Sequence, residues 1–317
     1  MRDITVVVSD AGAAQILLSL VEANRNKASW HIIVPKDSPA FSIALKKALV
    51  VEPLRGDEEI ESDYLFYGTS WQNSFHEHFV IRAKEKGIKS IAFLDNWEGY
   101  ARRFGAVLPD FFAVSDDLAY TTAKDEGLQN ILKVRDYATL RFLDDAKKYK
   151  IEESNRVLIL SEPTAKVAKQ SYADANYWGF TESSWLRDIL DHFGLFHVQS
   201  VVIRLHPSDS AEQYKEIFKE YKIAYEISQN RELIEDLLSC SLVVGINTVA
   251  LYYASLLNRK AISYIPSQNR SCNLPIAKQN RIQSFENFDI SSFKYNVFSE
   301  IDDFGLDFIT LLERLDG

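Results

Sequence analysis

Short apolar, β-branched runs alternate with amphipathic stretches along almost the whole chain. Runs of that kind, too short for buried helices and each followed by an amphipathic stretch, are accommodated by a parallel sheet whose strands are joined through covering helices. The first half predicts strands over 4–9, 30–34, 49–52, 64–67, 91–94 and 111–114, with helices such as 13–24 and 74–86, the latter stopped by Gly87. The second half predicts strands over 157–160, 201–205, 224–227, 242–245 and 261–265. Its helices are expected over 182–192, 211–221, 231–239 and 249–257, and a last one over 308–315.

With 317 residues the chain has the length of two domains. The charged stretch DDAKKYKIEESN, 144–155, lacks aliphatic periodicity and is the best linker, so the expected domains are 1–150 and 151–317, with the final helix packing back on the first. The expected fold class is α/β, two Rossmann-like parallel-sheet domains facing a cleft. Open sheets of this kind bind ligands beyond the carboxyl ends of their strands, so the residues just after each strand carry the functional argument.

The balance of 36 Lys and Arg against 45 Asp and Glu, a net charge of −9, argues against a nucleic-acid binder and against a surface that holds anions by bulk charge. Any anionic ligand must be held locally. No apolar run reaches the length of a membrane span and the first residues have no signal-peptide layout, so a cytoplasmic location is expected, with peripheral membrane contact left open. Cys240 and Cys272 have no metal-type spacing, and no metal site or cofactor is expected.

In the second half, the strand VVIRL runs into HPSD. Pro207 stops the strand and presents His206 at the sheet edge, with Arg204 on the same face by strand period. Together they could hold a phosphate, or Ser208 and Asp209 could simply cap the next helix. One unit on, a strand ends at Gly245, a turn carries Asn247 and Thr248, and a helix follows, the geometry of a phosphate site at a helix N-terminus. Ser161 and Glu162, in LILSEPT, stand at the end of this half's first strand as further pocket residues or as a cap. Tyr177, Trp178 and Phe180 form an aromatic cluster suited either to stacking or to packing.

In the first half, Asp10 and Gly12 follow the first strand, and a single glycine is no dinucleotide fingerprint. Ser70 follows the fourth strand. His76 and His78 lie two apart on a helix and diverge, so they do not read as a metal pair. The run FLDNWEGYARRF places Asp95 at a strand end, Trp97 and Tyr100 as candidate sugar-stacking faces, and Arg103 as an anion partner. Asp95 and Asp10 are the rival candidates for a general base acting on an acceptor hydroxyl; Asp95 could equally cap the next helix.

RLHP followed by the Gly245–Thr248 turn and a helix resembles the His-Pro and Ser-Ser/Thr motifs of bacterial sialyltransferases, polysialyltransferase-like proteins and related capsule enzymes of the GT-B glycosyltransferases. The resemblance covers about half of the chain. It implies a metal-independent glycosyltransferase of surface-polysaccharide synthesis, with a CMP- or CDP-activated donor favoured and UDP allowed, and a glycan or glycoconjugate acceptor. It assigns donor phosphate and nucleotide contacts to His206, Thr248 and Asn247. The sequence departs from the pattern in having Asn247 for the first hydroxyl and Tyr252-Tyr253 where many such enzymes place a ribose-binding Glu. The acidic base motif is only echoed by Ser9-Asp10-Ala11-Gly12. Nucleotide-sugar 2-epimerases share the expected fold, although their DSGG-like turn is absent. A glycerol-phosphate-type transferase and a non-catalytic two-lobed nucleotide- or sugar-binding protein are the other readings.

Overall fold

The computed structural model describes residues 1–53, 60–70, 74–150, 154–293 and 305–316. Its contacts divide the chain into a first unit, Met1–Arg141 with Glu300–Gly317, and a second, Phe142–Ser299. The division thus falls before the charged stretch rather than at residue 150, and the C-terminal residues return to the first unit.

Among the described residues the first unit carries seven parallel strands: β1 (Arg2–Val7), β2 (Ala28–Val34), β3 (Glu52–Pro53), β4 (Tyr64–Gly68), β5 (Lys89–Phe93), β6 (Phe111–Val114) and β7 (Ile131–Lys133). They are ordered β3-β2-β1-β4-β5-β6-β7. The connecting helices are α1 (Ala11–Ala23), α2 (Pro39–Lys46), α3 (Glu77–Glu85) and α4 (Asp117–Asp125), with α5 (Tyr137–Ala146) leading into the second unit.

Side chains of a strand alternate between the two faces of a sheet. Here Ile4, Val6, Tyr64 and Phe66 join one core while Val7, Leu65 and Tyr67 join the other. The terminal helix α11 (Phe308–Asp316) belongs to the first of these cores through Phe308, Leu311 and Leu315. It is tied down by Asp316, which takes hydrogen bonds from Arg2 and from the Tyr64 hydroxyl.

Among the described residues the second unit has six parallel strands: β8 (Arg156–Leu160), β9 (Ser200–Arg204), β10 (Ala224–Ile227), β11 (Leu242–Gly245), β12 (Lys260–Tyr264) and β13 (Arg281–Ile282), in the order β10-β9-β8-β11-β12-β13. Its helices are α6 (Thr164–Tyr172), α7 (Glu182–Asp191), α8 (Ala211–Phe218), α9 (Leu233–Leu238) and α10 (Val249–Leu256). Local chemistry accounts for several helix starts. Thr181 and Ser184 form a reciprocal capping box ahead of α7, and Asp116 caps α4 by accepting the Ala119 N–H at 2.8 Å.

Both sheets therefore reverse strand order beside their first strand, at β1/β4 and at β8/β11. The connections leaving the carboxyl ends at such a reversal run to opposite faces of the sheet and open a crevice, the usual ligand position in this architecture. The strand expected over 49–52 is reduced to the two residues of β3, whereas β7 and β13 emerge beyond the sequence reading. No helix among the described residues is long and apolar enough to cross a membrane.

Candidate functional site

At the switch point of the second unit, three strand-end loops are cross-linked by side chains. The Ser161 hydroxyl, just past β8, accepts the His206 N–H at 2.8 Å and donates to Asp209 at 2.6 Å. Asp209 also accepts the Tyr214 hydroxyl at 2.8 Å, and this use corrects the expectation that it caps α8; the residue at the cap is Ser210. Burial first, and then the charge of Asp209, pushes the Tyr214 phenol up, so it stays a donor.

Glu162 spans the switch point itself. One carboxylate oxygen takes the Asn247 N–H, past β11, and the other takes the Arg270 guanidinium at 3.2 Å. The Arg270 guanidinium lies 4.4 Å over the ring of Trp178, a cation–π contact. Glu162 is only 15 % exposed, and burial pushes its carboxyl above the usual range against the opposing pull of Arg270, the Asn247 N–H and His206.

The His206 ring is exposed. Its Nδ1 accepts the Ser208 N–H at 3.2 Å and lies 2.8 Å from the Ser208 hydroxyl. An acceptor at Nδ1 requires that the neutral ring carry its proton on Nε2, which leaves Nε2–H as a donor for a ligand. Pro207 is exposed beside it. Thr248 caps α10 through its hydroxyl, and Asn247 uses its side-chain oxygen to accept the Asn273 N–H at 3.1 Å. Gly245 is buried and serves packing: a Cβ there would come within 3.1 Å of Leu251 and 3.3 Å of Leu160.

The structure corrects the expected role of Arg204. Its guanidinium donates to Asp236 at 2.7 Å and to the Arg231 carbonyl at 3.0 Å. Asp236 is fully buried and also accepts the Ser228 hydroxyl, so Arg204 neutralises a buried carboxylate that would otherwise be very costly. The strand period places Arg204 near His206, but the ion pair commits it elsewhere.

In the first unit, Asp95 reaches from the end of β5 to the start of α1. A Cβ added at Gly12 would lie 2.1 Å from Asp95 Oδ2, so only glycine admits the carboxylate there. The other oxygen, Oδ1, accepts Arg103 at 2.5 Å, and the same guanidinium nitrogen bonds Thr69, past β4, at 3.0 Å. Asp10, at the N-cap of α1, gives no side-chain capping bond and is approached by the Ser9 hydroxyl at 3.3 Å.

Two acceptor-side expectations fail on burial. Tyr100 is fully buried, with its hydroxyl on the Asn96 carbonyl, and Arg103 has no exposed side-chain surface. Neither can meet a solvent-borne ligand; Arg103 instead locks Asp95. Trp97 is half-buried and donates to Asp116 at 2.7 Å, and Ser70 is buried. Arg270 lies outside every motif the sequence offers, and the pairings of Thr69 with Arg103 and of Asp209 with Ser161 join different loops, so no local pattern announces them.

Strand order and layering define a two-domain Rossmann-like architecture of the GT-B type. The fold matches UDP-GlcNAc 2-epimerase from Neisseria meningitidis bound to UDP-GlcNAc, with a TM-score of 0.56 and 10% identity over 83% of this chain and 82% of the other. It also matches Staphylococcus aureus MnaA in complex with UDP, with a TM-score of 0.57 and 10% identity over 84% and 80%. MurG of Acinetobacter baumannii aligns with a TM-score of 0.51 and 9% identity over 88% and 81%. No protein-family model and no curated protein matches the sequence.

Proposed function

We propose that the chain is a glycosyltransferase that moves a sugar from a nucleotide-activated donor to a glycan or glycoconjugate acceptor. The observation that carries this reading is the convergence at the β8/β11 switch point of the His206 Nε2–H donor, the Asn247–Thr248 turn opening α10, and the loops tied by Ser161 and Glu162. Donors at that edge suit a nucleotide phosphate: charge developing on the leaving phosphate would be met by an imidazole N–H and by helix-end N–H groups. The donor nucleotide is read as a pyrimidine nucleotide. The sequence resemblance favours CMP or CDP, and the UDP or UDP-GlcNAc held by two structurally similar proteins supports UDP.

In this reading Asp95 is the base, with Asp10 its alternative. The Oδ2 atom of Asp95 is the one not locked by Arg103, and it would take the acceptor hydroxyl proton. The acceptor oxygen forms a bond to the anomeric carbon while the bond from that carbon to phosphate oxygen breaks, and the nucleotide leaves with the electron pair. The proposed setting is surface-polysaccharide synthesis in the cytoplasm, on an acceptor presented in solution or at a membrane surface.

Epimerisation of a nucleotide sugar is the second reading, favoured by the fold likeness to the Neisseria enzyme. A thermal-shift screen with CMP, CDP, UDP, GDP and dTDP tests the nucleotide site, because a ligand of the native state raises the unfolding temperature. His206→Ala is expected to abolish the shift, and an unchanged shift would remove the phosphate assignment. Incorporation of solvent deuterium into a donor sugar without an acceptor would favour epimerisation. Release of nucleotide only when an acceptor glycan is present would favour transfer.

A further inference from the structure

Glu162 and Arg270 meet where the proposed function needs an anion. Glu162 bridges the Asn247 N–H, a donor just ahead of α10, and the Arg270 guanidinium. A carboxylate that collects a backbone N–H at a helix start and an arginine occupies the same kind of donor set that a phosphate oxygen would use. It does so at a cost, since burial disfavours its charge.

The Arg270 guanidinium is seated over the Trp178 ring and donates through Nη2 to Glu162 at 3.2 Å. A planar guanidinium clamped in this way keeps its remaining edge donors pre-aligned, and a carboxylate and a phosphate compete for the same fork. Arg204 is committed to Asp236, whereas Arg270, tied through Glu162 to the Asn247 loop, is placed to exchange one anion for another.

We propose that Glu162 is an internal anion seated in the phosphate subsite, and that Arg270 is the cation that receives the ligand's phosphate when Glu162 yields it. This rests on the nucleotide-donor reading above and adds a specificity residue, Arg270, with a built-in competitor for it. Bare monoanions would not displace Glu162 effectively. A diphosphate, with more charge and more acceptor oxygens, would.

The test is calorimetric titration of inorganic pyrophosphate, UDP and CMP into the wild-type chain, E162Q, R270M and the double variant, with folding of each checked by circular dichroism. Glutamine keeps an oxygen for the Asn247 N–H while removing the competing charge. E162Q is expected to bind pyrophosphate and UDP about tenfold more tightly, and R270M about tenfold more weakly, each the equivalent of one charge-assisted hydrogen bond. The double variant should behave as R270M, because the gain requires Arg270.

A folded E162Q that binds more weakly than wild type, or an R270M with unchanged affinity, overturns the proposal while leaving the donor reading intact. A gain in E162Q confined to nucleotides and absent for pyrophosphate also overturns it, since the contact would then be to base or ribose. Absence of binding in every variant removes the donor reading itself. If E162Q does not fold, the R270M arm still decides.

Discussion

The Ser161 hydroxyl accepts the backbone N–H of His206 at 2.8 Å and donates its own hydrogen bond to Asp209 at 2.6 Å. Ser161→Ala removes both links, leaving the His206 N–H without this acceptor, while Asp209 Oδ2 keeps the Tyr214 hydroxyl. Loss of about 1 kcal/mol is expected, the low end of the cost of an unsatisfied group because the N–H is only part-buried. Urea unfolding measures it, and nucleotide affinity should fall with it, because His206 loses its anchor. A variant as stable as wild type would show that water replaces the hydroxyl.

Arg204 is expected to matter for stability rather than for phosphate. Arg204→Met leaves Asp236 buried, with Ser228 as its remaining close donor and Arg231 3.7 Å away. Breaking a buried pair costs about 3–5 kcal/mol, and the partial exposure of Arg204 lowers this to roughly 2–3 kcal/mol. Denaturant midpoints should show the loss, while nucleotide affinity of the folded fraction stays within about twofold of wild type. A large affinity loss with normal stability would restore Arg204 to the ligand site.

The contact between Gly12 and Asp95 predicts a separation of chemistry from binding. Gly12→Ala would drive Asp95 away from the start of α1, since the new methyl would lie 2.1 Å from Oδ2. Turnover is expected to fall at least about a hundredfold, the scale of a misplaced general base, with donor affinity preserved. Asp95→Asn should give the same split. Normal turnover in both variants would transfer the base assignment to Asp10.

His76 supplies a pH dependence. It is buried, its ring stacks on Tyr67, and among the described residues its Nε2 has no hydrogen-bond partner. Burial pushes the imidazole below the usual histidine range, against opposing contributions from Glu77, the Arg103 carbonyl and Asp10. As pH falls below about 6.5 the unfolded chain takes up this proton before the folded one does, so stability is lost on acidification and regained above that value. The slope is at most about 1.4 kcal/mol per pH unit until the folded value is passed. Unfolding free energies at pH 7.5 and 5.5 should show this loss in the wild type and less of it in His76→Phe, and equal slopes in the two proteins would exclude His76 as the source.

Much of the scaffold was legible in the chain. Strands such as β6, β10 and β11 have the ends that their apolar runs predict, and the Asp116 cap and the stop at Gly87, with φ of +69°, follow from local chemistry. β3, β7 and β13 were less legible or escaped because two or three residues are too few to display an alternation, and neighbouring strands confer their extended form.

What the sequence by itself determined is the set of strand ends from which a site can be built: Asp95, Ser161, His206 and Asn247 follow apolar runs whose lengths local periodicity encodes. What only the tertiary structure decided is how the charges pair there. Arg204 meets Asp236 across 32 residues and Arg270 meets Glu162 across 108. Even Arg103, eight residues from Asp95, is buried on it by the folding of the loop rather than presented to solvent. Periodicity carries information over one or two turns. The free energy of an ion pair depends on burial and on partners brought together by strand order, and those exist only once both sheets have formed.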